Sequence, residues 1–166
     1  MNRTSKRLVA AVVALALAGA LVLLFTQKPA APQAAFTTLK GEQIALDSLR
    51  GKVVLVNFWA TNCPGCIKEM PELVNTHQKY HSRGLETIAV AMSYDPPEYV
   101  HLFTEKNGLP FIVAQDAGGA AARAFGDVRL TPTTFVIDKE GKIIQQYVGE
   151  PDFSQLHALI EGALQK

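Results

Sequence analysis

The sequence predicts an α/β fold in which helices flank a central mixed sheet, with an added N-terminal β-hairpin and one preceding transmembrane helix. Three observations predict it. Residues Val53–Ala60 are nearly continuously apolar and β-branched, as in a strand buried on both faces. Strand and helix patterns alternate after this segment, which favours parallel pairing. Residues 8–25 form an apolar block near the start of the 166-residue chain, whose length suits one domain and a tail.

The apolar block is long enough to be a membrane anchor. It contains no charged or polar side chain and would span roughly 27 Å as a helix, close to the ~30 Å of bilayer hydrocarbon. Arg3, Lys6 and Arg7 precede it, so the positive-inside rule places the amino terminus in the cytoplasm. We predict that residues 1–27 are a cytoplasmic N-terminus and single-pass anchor in a bacterial inner membrane, with the domain facing the periplasm.

A cleaved secretory signal is the alternative for this block. Cleavage requires small residues three and one before the cut, after the apolar core. Ala18 and Ala20 are such a pair, but cutting there would leave Leu21–Phe25 exposed. The uncleaved anchor is therefore favoured. Because no cysteine precedes Cys63, a lipid-modified N-terminal cysteine is excluded.

Residues 28–35 predict a short, partly extended linker, because they combine two prolines with four alanines and show no apolar period. The folded domain is expected over residues 36–166. This segment carries 12 Lys and Arg against 15 Asp and Glu, a net charge of −3 with neutral histidines. No basic stripe is present, so a nucleic-acid surface is not expected.

The domain begins with a predicted antiparallel hairpin, Phe36–Leu39 and Gln43–Leu46, which we expect to cap one edge of the sheet. Val53–Ala60 is the expected central strand. Pro64–Tyr80 repeats apolar residues at helical spacing and is interrupted by Pro71, which predicts a kinked helix.

The remaining elements are predicted by periodicity and by turn residues. In order they are a strand Leu85–Met92, a helix from Pro96 to Lys106, a strand Phe111–Ala114, a helix Gly119–Phe125, two antiparallel strands Thr133–Ile137 and Lys142–Val148, and a last helix capped by Asp152.

Cys63 and Cys66 are the candidate reactive residues. They lie where the buried strand meets the next helix, so free N–H groups and the helix dipole favour an anion at Cys63. The thiolate is the nucleophile of disulfide exchange, and such a position populates it. A spacing of two residues also lets the second sulfur resolve a mixed disulfide.

Zinc binding and a purely structural disulfide are the alternatives for this pair. Zinc would need two further ligands, which in the absence of other cysteines must be histidines. The candidate histidines are His77, His81, His101 and His157. His77 and His81 are four apart on a helix, a spacing that permits chelation. No metal is expected at the cysteines, because histidines at this spacing are usually solvated or packed.

The cysteine segment resembles a known family. The stretch WATNCPGC resembles the active site of the thioredoxin superfamily, and NFWATNCPGCIKEMPEL resembles more specifically the TlpA and ResA branch of extracytoplasmic thiol:disulfide reductases. A second, separate match is LTPTTFVIDKEGKI, which is similar to the proline loop and hairpin of that family. The resemblance runs from about Phe36 to Lys166 and implies a thioredoxin-like fold.

The resemblance implies a role for several residues. Cys63 would be the exposed attacking thiol, Cys66 the buried resolving thiol, and Pro132 a cis proline against the disulfide. Trp59 and Thr131, with Pro132, would contact an extended substrate. Pro71 matches the helix kink of the family.

Two further matches distinguish this branch from cytosolic thioredoxin. Asn57 lies where thioredoxin has a buried aspartate, and Glu69, one helical turn after Cys66, matches an acid that the branch places near its redox pair. Glu69 is the implied proton shuttle. The alternative is a solvated carboxylate, since Lys68 and Glu72 flank it.

Two departures concern the direction of electron flow. Asn62 occupies the position where the family usually has Trp, and Pro64-Gly65 lies between the cysteines where a proline directly before the second is commoner. Residues between the cysteines tune the reduction potential. The chemistry is therefore better determined than its direction.

We expect a cofactor-independent reductase of exported proteins with cysteine pairs, as in cytochrome c maturation or assembly of an oxidase copper site, itself reduced by a membrane donor of thiols. An oxidase of exported thiols is the second possibility. The third is a copper chaperone. Copper chaperones of this fold generally have a cysteine pair separated by three residues, whereas Cys63 and Cys66 are separated by two. Peroxidase activity is not expected, because the sequence around Cys63 lacks the Thr-x-x-Cys motif that peroxidases of this fold use.

Overall fold

The computed structural model describes residues 12–13, 15–19 and 28–166. Within these ranges, no helix is both long enough and apolar enough to cross a membrane. The predicted anchor over residues 8–25 lies mostly outside the described residues.

A five-stranded mixed sheet forms the centre of the domain, and its three inner strands are buried along their whole length. Every residue of the third strand is buried. The strands are β1 (Ala35–Thr37), β2 (Gln43–Ala45), β3 (Val53–Trp59), β4 (Leu85–Ala91), β5 (Ile112–Gln115), β6 (Thr133–Ile137) and β7 (Ile143–Val148). The sheet order is β5-β4-β3-β6-β7, which confirms β3 as the central strand. Strands β3, β4 and β5 are parallel, and β6 and β7 are antiparallel to their neighbours.

Four helices cover the sheet: α1 (Pro64–Tyr80), α2 (Pro97–Asn107), α3 (Ala120–Ala124) and α4 (Phe153–Leu164). Alternate residues of β3 point to opposite faces. Val53, Leu55 and Trp59 pack with side chains of α1, α2 and α4. Val54, Val56 and Phe58 pack with α3 and the hairpin on the other face. The thioredoxin-like layering is therefore confirmed.

Helix boundaries reflect local capping chemistry. Pro64 occupies the first turn of α1, where its missing N–H has no helical partner to lose. The helix continues through Pro71 to Tyr80, as predicted. Gly108 ends α2 in the left-handed conformation with φ 56°. The side chain of Asp152 caps α4 by accepting from the N–H groups of the residues two and three positions later.

The N-terminal hairpin pairs β1 with β2 and lies against the outer edge of the sheet. Thr38 forms a bridge to Ala114, and the N–H of Leu39 donates to the carbonyl of Val113 at 3.2 Å. The predicted edge cap is thus confirmed. A 3-10 helix at Leu46–Leu49 comes directly after β2, where the sequence predicts only the end of a strand.

Residues 29–31, inside the predicted linker, pair with the folded domain. Ala30 forms an antiparallel bridge with Lys142, the N–H of Ala31 donates to Gly141 at 2.8 Å, and the carbonyl of Pro29 accepts from Ile143 at 2.9 Å. This segment extends the sheet beside β7, so the ordered domain begins before residue 36. Its backbone groups are satisfied by pairing, which no local apolar pattern reveals.

Candidate active site

The cysteine pair lies at the junction of β3 and α1. Cys63 is the N-cap of α1, and its Sγ accepts a hydrogen bond from the backbone N–H of Cys66 at 3.2 Å. The two residues form a disulfide, with Cα atoms 5.2 Å apart. Cys63 is half-buried and Cys66 has no solvent exposure. The predicted difference in exposure is confirmed, and only the first sulfur is open to attack from outside.

The start of α1 favours negative charge on Cys63. The unpaired N–H groups of the first turn point towards it, and the helix dipole acts in the same direction. No acidic residue lies in that first turn. The backbone therefore stabilises a thiolate at Cys63, and no carboxylate in that first turn opposes it.

Pro132 lies directly beside the cysteine turn. The Thr131–Pro132 peptide bond is cis, as the resemblance implies. A Cβ placed on Gly65, between the cysteines, would lie 3.5 Å from Cδ of Pro132, which is ordinary van der Waals contact. The carbonyl of Pro132 accepts from the N–H of Gly149 at 2.8 Å. Two segments that are far apart in sequence therefore form one surface.

Glu69 is buried beneath this surface rather than solvated. Its side chain has no solvent exposure, and Oε1 accepts from Nδ2 of Asn57 at 2.8 Å. The same amide nitrogen donates to Oγ1 of Thr134 at 2.9 Å. Oε2 of Glu69 is buried and has no hydrogen-bond partner among the described residues. The alternative of a solvated carboxylate is therefore wrong.

Burial changes the acidity of Glu69. Loss of solvation raises its pKa to about 7, the hydrogen bond from Asn57 opposes this, and the nearby carboxylate of Glu150 adds to the increase. A carboxyl group with a pKa near 7 exchanges protons readily at neutral pH. Glu69 and Cys66 are three residues apart on α1, so their side chains share one buried face.

Comparison with known proteins agrees with this geometry. Residues 26–160 match the Redoxin family. The chain is 40% identical over 136 residues to the thiol-disulfide oxidoreductase ResA of Bacillus thuringiensis strain Al Hakam, covering 82% of this chain and 75% of the relative. It is 35% identical over 127 residues to ResA of Bacillus subtilis strain 168, covering 76% and 70%.

The chain belongs to the Redoxin family. Its relatives of known name and its cysteine pair make it a ResA-like thiol-disulfide oxidoreductase. A solved structure also agrees, a thiol:disulfide interchange protein of the thioredoxin family from Chlorobium tepidum TLS. The two structures superimpose with a TM-score of 0.75 at 28% sequence identity, and the alignment covers 84% of this chain and 98% of the Chlorobium tepidum chain.

One predicted contact of this Redoxin-family domain is wrong. The resemblance implies that Trp59 touches the substrate, but its side chain has no solvent exposure. Its ring packs against Phe103 with centroids 5.2 Å apart, in the same apolar cluster as Cys66. A tryptophan at the end of a fully buried strand lies inside the core, so Trp59 supports the cysteine turn from below.

Asp95 is a site residue that the sequence did not indicate. It is buried, and its two carboxylate oxygens accept from the N–H and the hydroxyl of Thr61, both at 2.6 Å. These bonds tie the turn before Cys63 to the loop before α2. The partners are 34 residues apart, so only the tertiary fold brings them together.

The histidines considered as zinc ligands lie away from the Redoxin-family cysteine pair. His77 is eleven residues after Cys66 on α1, which is about 16 Å of helical rise. His157 contacts Thr76 at 2.8 Å, and His101 is exposed on α2. Among the described residues, neither cysteine belongs to a group of three potential metal ligands.

Proposed function

We propose that the chain is an extracytoplasmic disulfide reductase, tethered to a bacterial inner membrane, that reduces cysteine pairs of exported proteins. The haem-binding pair of an apocytochrome c and the copper-site cysteines of an oxidase are substrates of this chemistry. The observation that carries the proposal is the half-exposed Cys63 at a helix start, backed by a buried Cys66 and a buried Glu69.

Two features support the membrane location. Arg3, Lys6 and Arg7 precede the apolar block, which favours export of the domain after it. The described large apolar side chains of this block are 50% to 74% exposed, so the protein itself does not cover them: they are Val12, Val13, Leu15 and Leu17. Hydrocarbon would cover such side chains favourably. Both the exported substrate and a membrane donor of thiols would then meet the domain at one membrane face.

Reduction proceeds in two thiol exchanges. The Cys63 thiolate attacks one sulfur of a substrate disulfide, forms a mixed disulfide and releases the other substrate sulfur as a thiolate, which takes up a proton. Cys66 then loses its proton and attacks Sγ of Cys63. The second substrate sulfur leaves and is protonated, and the Cys63–Cys66 disulfide closes. Two electrons and two protons pass to the substrate, and a membrane dithiol restores the pair by the reverse exchange.

Glu69 supplies the proton acceptor that the second exchange needs. Cys66 is fully buried, so water does not reach its sulfur directly. The carboxylate of Glu69 accepts the Cys66 proton one helical turn away, and its pKa near 7 lets it release that proton afterwards. Asn57 holds the carboxylate in place through the bond to Oε1.

Thr131 offers backbone to an extended substrate. Among residues 28–166, its N–H and carbonyl form no hydrogen bond with another backbone group. The neighbouring Leu130 is 65% exposed, and Tyr94, whose hydroxyl lies 3.4 Å from Oγ1 of Thr131, is 54% exposed. A peptide strand beside Thr131 would gain backbone hydrogen bonds and apolar contact next to Cys63.

A trapping variant tests this proposal. Cys66→Ser removes the resolving thiol, so the full chain should accumulate as a mixed disulfide between Cys63 and its substrate. Mass spectrometry of the trapped adducts should identify exported proteins with cysteine pairs, and Cys63→Ser should trap none. Adducts confined to cytoplasmic proteins would contradict the proposed location.

The reduction potential tests the direction. A reductase should have a potential closer to that of thioredoxin, about −270 mV, than to that of the oxidant DsbA, about −120 mV. Equilibration of the full chain with thiol buffers gives this value. A potential near −120 mV would instead identify an oxidase of exported thiols, and tight copper binding without thiol exchange would identify a chaperone.

A further inference from the structure

Three potential metal ligands meet at the end of α1 that is remote from the cysteines. His77 lies on α1, His81 begins the 3-10 turn His81–Arg83, and Glu86 is the second residue of β4. One donor atom from each of the three side chains lies within 4.8 Å of the others. The two imidazole rings, four residues apart, have centroids 4.5 Å from each other. The turn at Gly84 then brings the carboxylate back beside them.

The hydrogen bonding of this cluster is incomplete. His77 is only 4% exposed, and its Nδ1 is buried without a hydrogen-bond partner among the described residues. Buried polar atoms of native proteins nearly always have a partner, so an isolated one indicates a water or an ion. Glu86 is 7% exposed, and it uses Oε2 for an ion pair with Lys52 at 3.0 Å. Its Oε1 accepts a long hydrogen bond from the backbone N–H of Thr87 at 3.4 Å and lies 3.9 Å from Nδ1 of His81.

An ion can reach this cluster from solvent. All three side chains line a cavity of about 390 Å³ that the N-terminal hairpin closes on its other side, with Leu39 and Ile44 among the lining residues. The side chain of His81 is 53% exposed, and its Nδ1 contacts the carbonyl of Leu85 at 3.1 Å. Donors that each bind a tetrahedral zinc ion at about 2.0 to 2.2 Å lie on the order of 3.5 Å from one another. A turn of the exposed His81 ring about this contact is the movement that would shorten the observed donor spacing of up to 4.8 Å.

We propose that His77, His81 and Glu86 bind one zinc ion. Two imidazoles and one carboxylate are a donor set that suits zinc, whereas calcium and magnesium prefer oxygen ligands alone. Three protein ligands leave a fourth position open towards the cavity. The carbonyl of Leu85 lies 3.1 Å from Nδ1 of His81. When it accepts the proton of that nitrogen, Nε2 is free for the metal and the ring is oriented.

The proposed zinc site is separate from the redox pair. About 16 Å of helix lies between Cys66 and His77. Bound zinc would join the end of α1 to the start of β4, next to the hairpin. It would therefore stabilise the edge of the domain without contacting either sulfur, and its presence or absence leaves the proposed reductase function untouched.

Zinc titration of the full chain tests the site. The protein is prepared in detergent without a histidine tag and kept oxidised, so that both sulfurs are held in the disulfide. Calorimetry should show one Zn²⁺ bound per chain, and Co²⁺ should give the visible absorption of a low-coordinate complex. His81→Ala should weaken Zn²⁺ binding at least about tenfold, since even groups that only support a ligand contribute that much.

Two further variants control the measurement. His101→Ala removes an exposed histidine of α2 and should leave the Zn²⁺ affinity unchanged. Glu86→Gln keeps the shape of the side chain and should weaken binding as His81→Ala does. Zinc should also raise the melting temperature of the wild type and of His101→Ala, but not that of His81→Ala. Equal Zn²⁺ affinities in the wild type and both cluster variants, or no binding below millimolar Zn²⁺, would overturn the proposal.

Discussion

At the scale of single residues, the buried carboxyl of Glu69 is the unusual feature of this domain. A helix carboxylate normally faces solvent, and burying one without a cation costs free energy when it is charged. Glu69 receives one hydrogen bond from Asn57, and its second oxygen has no partner in the described part of the chain. The fold therefore holds this group in the state that exchanges protons near neutral pH.

The pKa of Glu69 makes stability depend on pH. It rises from 4.5 to about 7 on folding, so the folded chain binds more protons than the unfolded chain between these values. Stability from this group therefore falls as pH rises through that window, by about 3 kcal/mol in total. The glutamine of Glu69→Gln stays neutral at every pH, so the free energy of unfolding of this variant should not show this fall.

Urea unfolding of the oxidised protein at pH 4 and pH 8 measures the effect. Burial lowers the pKa values of His77 and His157, so these two groups make stability rise with pH, opposite to Glu69. Both histidines are present in each protein, so the difference in the free energy of unfolding between wild type and Glu69→Gln reports Glu69 alone. A constant difference in the free energy of unfolding at both pH values would contradict the prediction.

Glu69→Gln should also change the chemistry of the reduced pair. A thiolate beside a buried carboxyl couples the two ionisations, so titration of thiolate absorbance should show a transition in the wild type that the variant lacks. The reduction rate should fall by on the order of a hundredfold, as for loss of a general base. Glu72→Gln alters a carboxylate of the same helix that is not buried and should behave as wild type. Superimposable curves for all three proteins would remove Glu69 from the mechanism.

Cys63 should react with alkylating agents before Cys66. Its sulfur is the exposed one, and it lies at the start of α1, which favours the thiolate. Brief iodoacetamide treatment of the reduced protein near pH 7, with subsequent peptide mapping, should find the label on Cys63. Preferential labelling of Cys66 would exchange the two roles.

At the scale of elements, the redox site depends on loops that are held together across the sheet. Asp95 belongs to the loop after β4, yet both of its oxygens accept from Thr61 in the turn after β3. The N–H and hydroxyl of Thr61 would lose these partners if the carboxylate were removed. This contact positions the turn that ends in Cys63.

Asp95→Ala should destabilise the oxidised protein by about 2 kcal/mol, because two hydrogen bonds to a buried charged group are lost. Urea unfolding measures this loss. Asp95→Asn retains one acceptor and should recover part of it. Glu98→Ala, an exposed acid at the start of α2, is the matched control and should change stability by less than about 0.5 kcal/mol. A loss for Asp95→Ala no larger than that of Glu98→Ala would contradict this role.

At the scale of the whole molecule, the proposed topology places residues 36–166 outside the cytoplasm. Alkaline phosphatase fused after Lys166 should then be active, because it folds only after export, and a cytoplasmic reporter at the same position should be inactive. Replacing Arg3, Lys6 and Arg7 with neutral residues should weaken the orientation signal and lower the phosphatase activity. Activity of the cytoplasmic reporter alone would show that the orientation is inverted.

The sequence by itself determined the strands and α-helices, the mixed sheet and the redox pair, but not the 3-10 helix at Leu46–Leu49, because local patterns report the long elements. The apolar run of β3, the span of α1 and the cysteine spacing are all visible within a few neighbouring residues. Periodicity reports which faces are buried, and a helix start reports where an anion is favoured.

Only the tertiary structure decided what surrounds these elements. The burial of Glu69, the inward position of Trp59, the support from Asp95 and the docking of residues 29–31 beside β7 arise from contacts between distant parts of the chain. The meeting of His77 and His81 with Glu86 has the same origin. Solvation and hydrogen-bond partners are properties of three-dimensional neighbours, so a residue type and its spacing leave them open until the sheet and helices have packed.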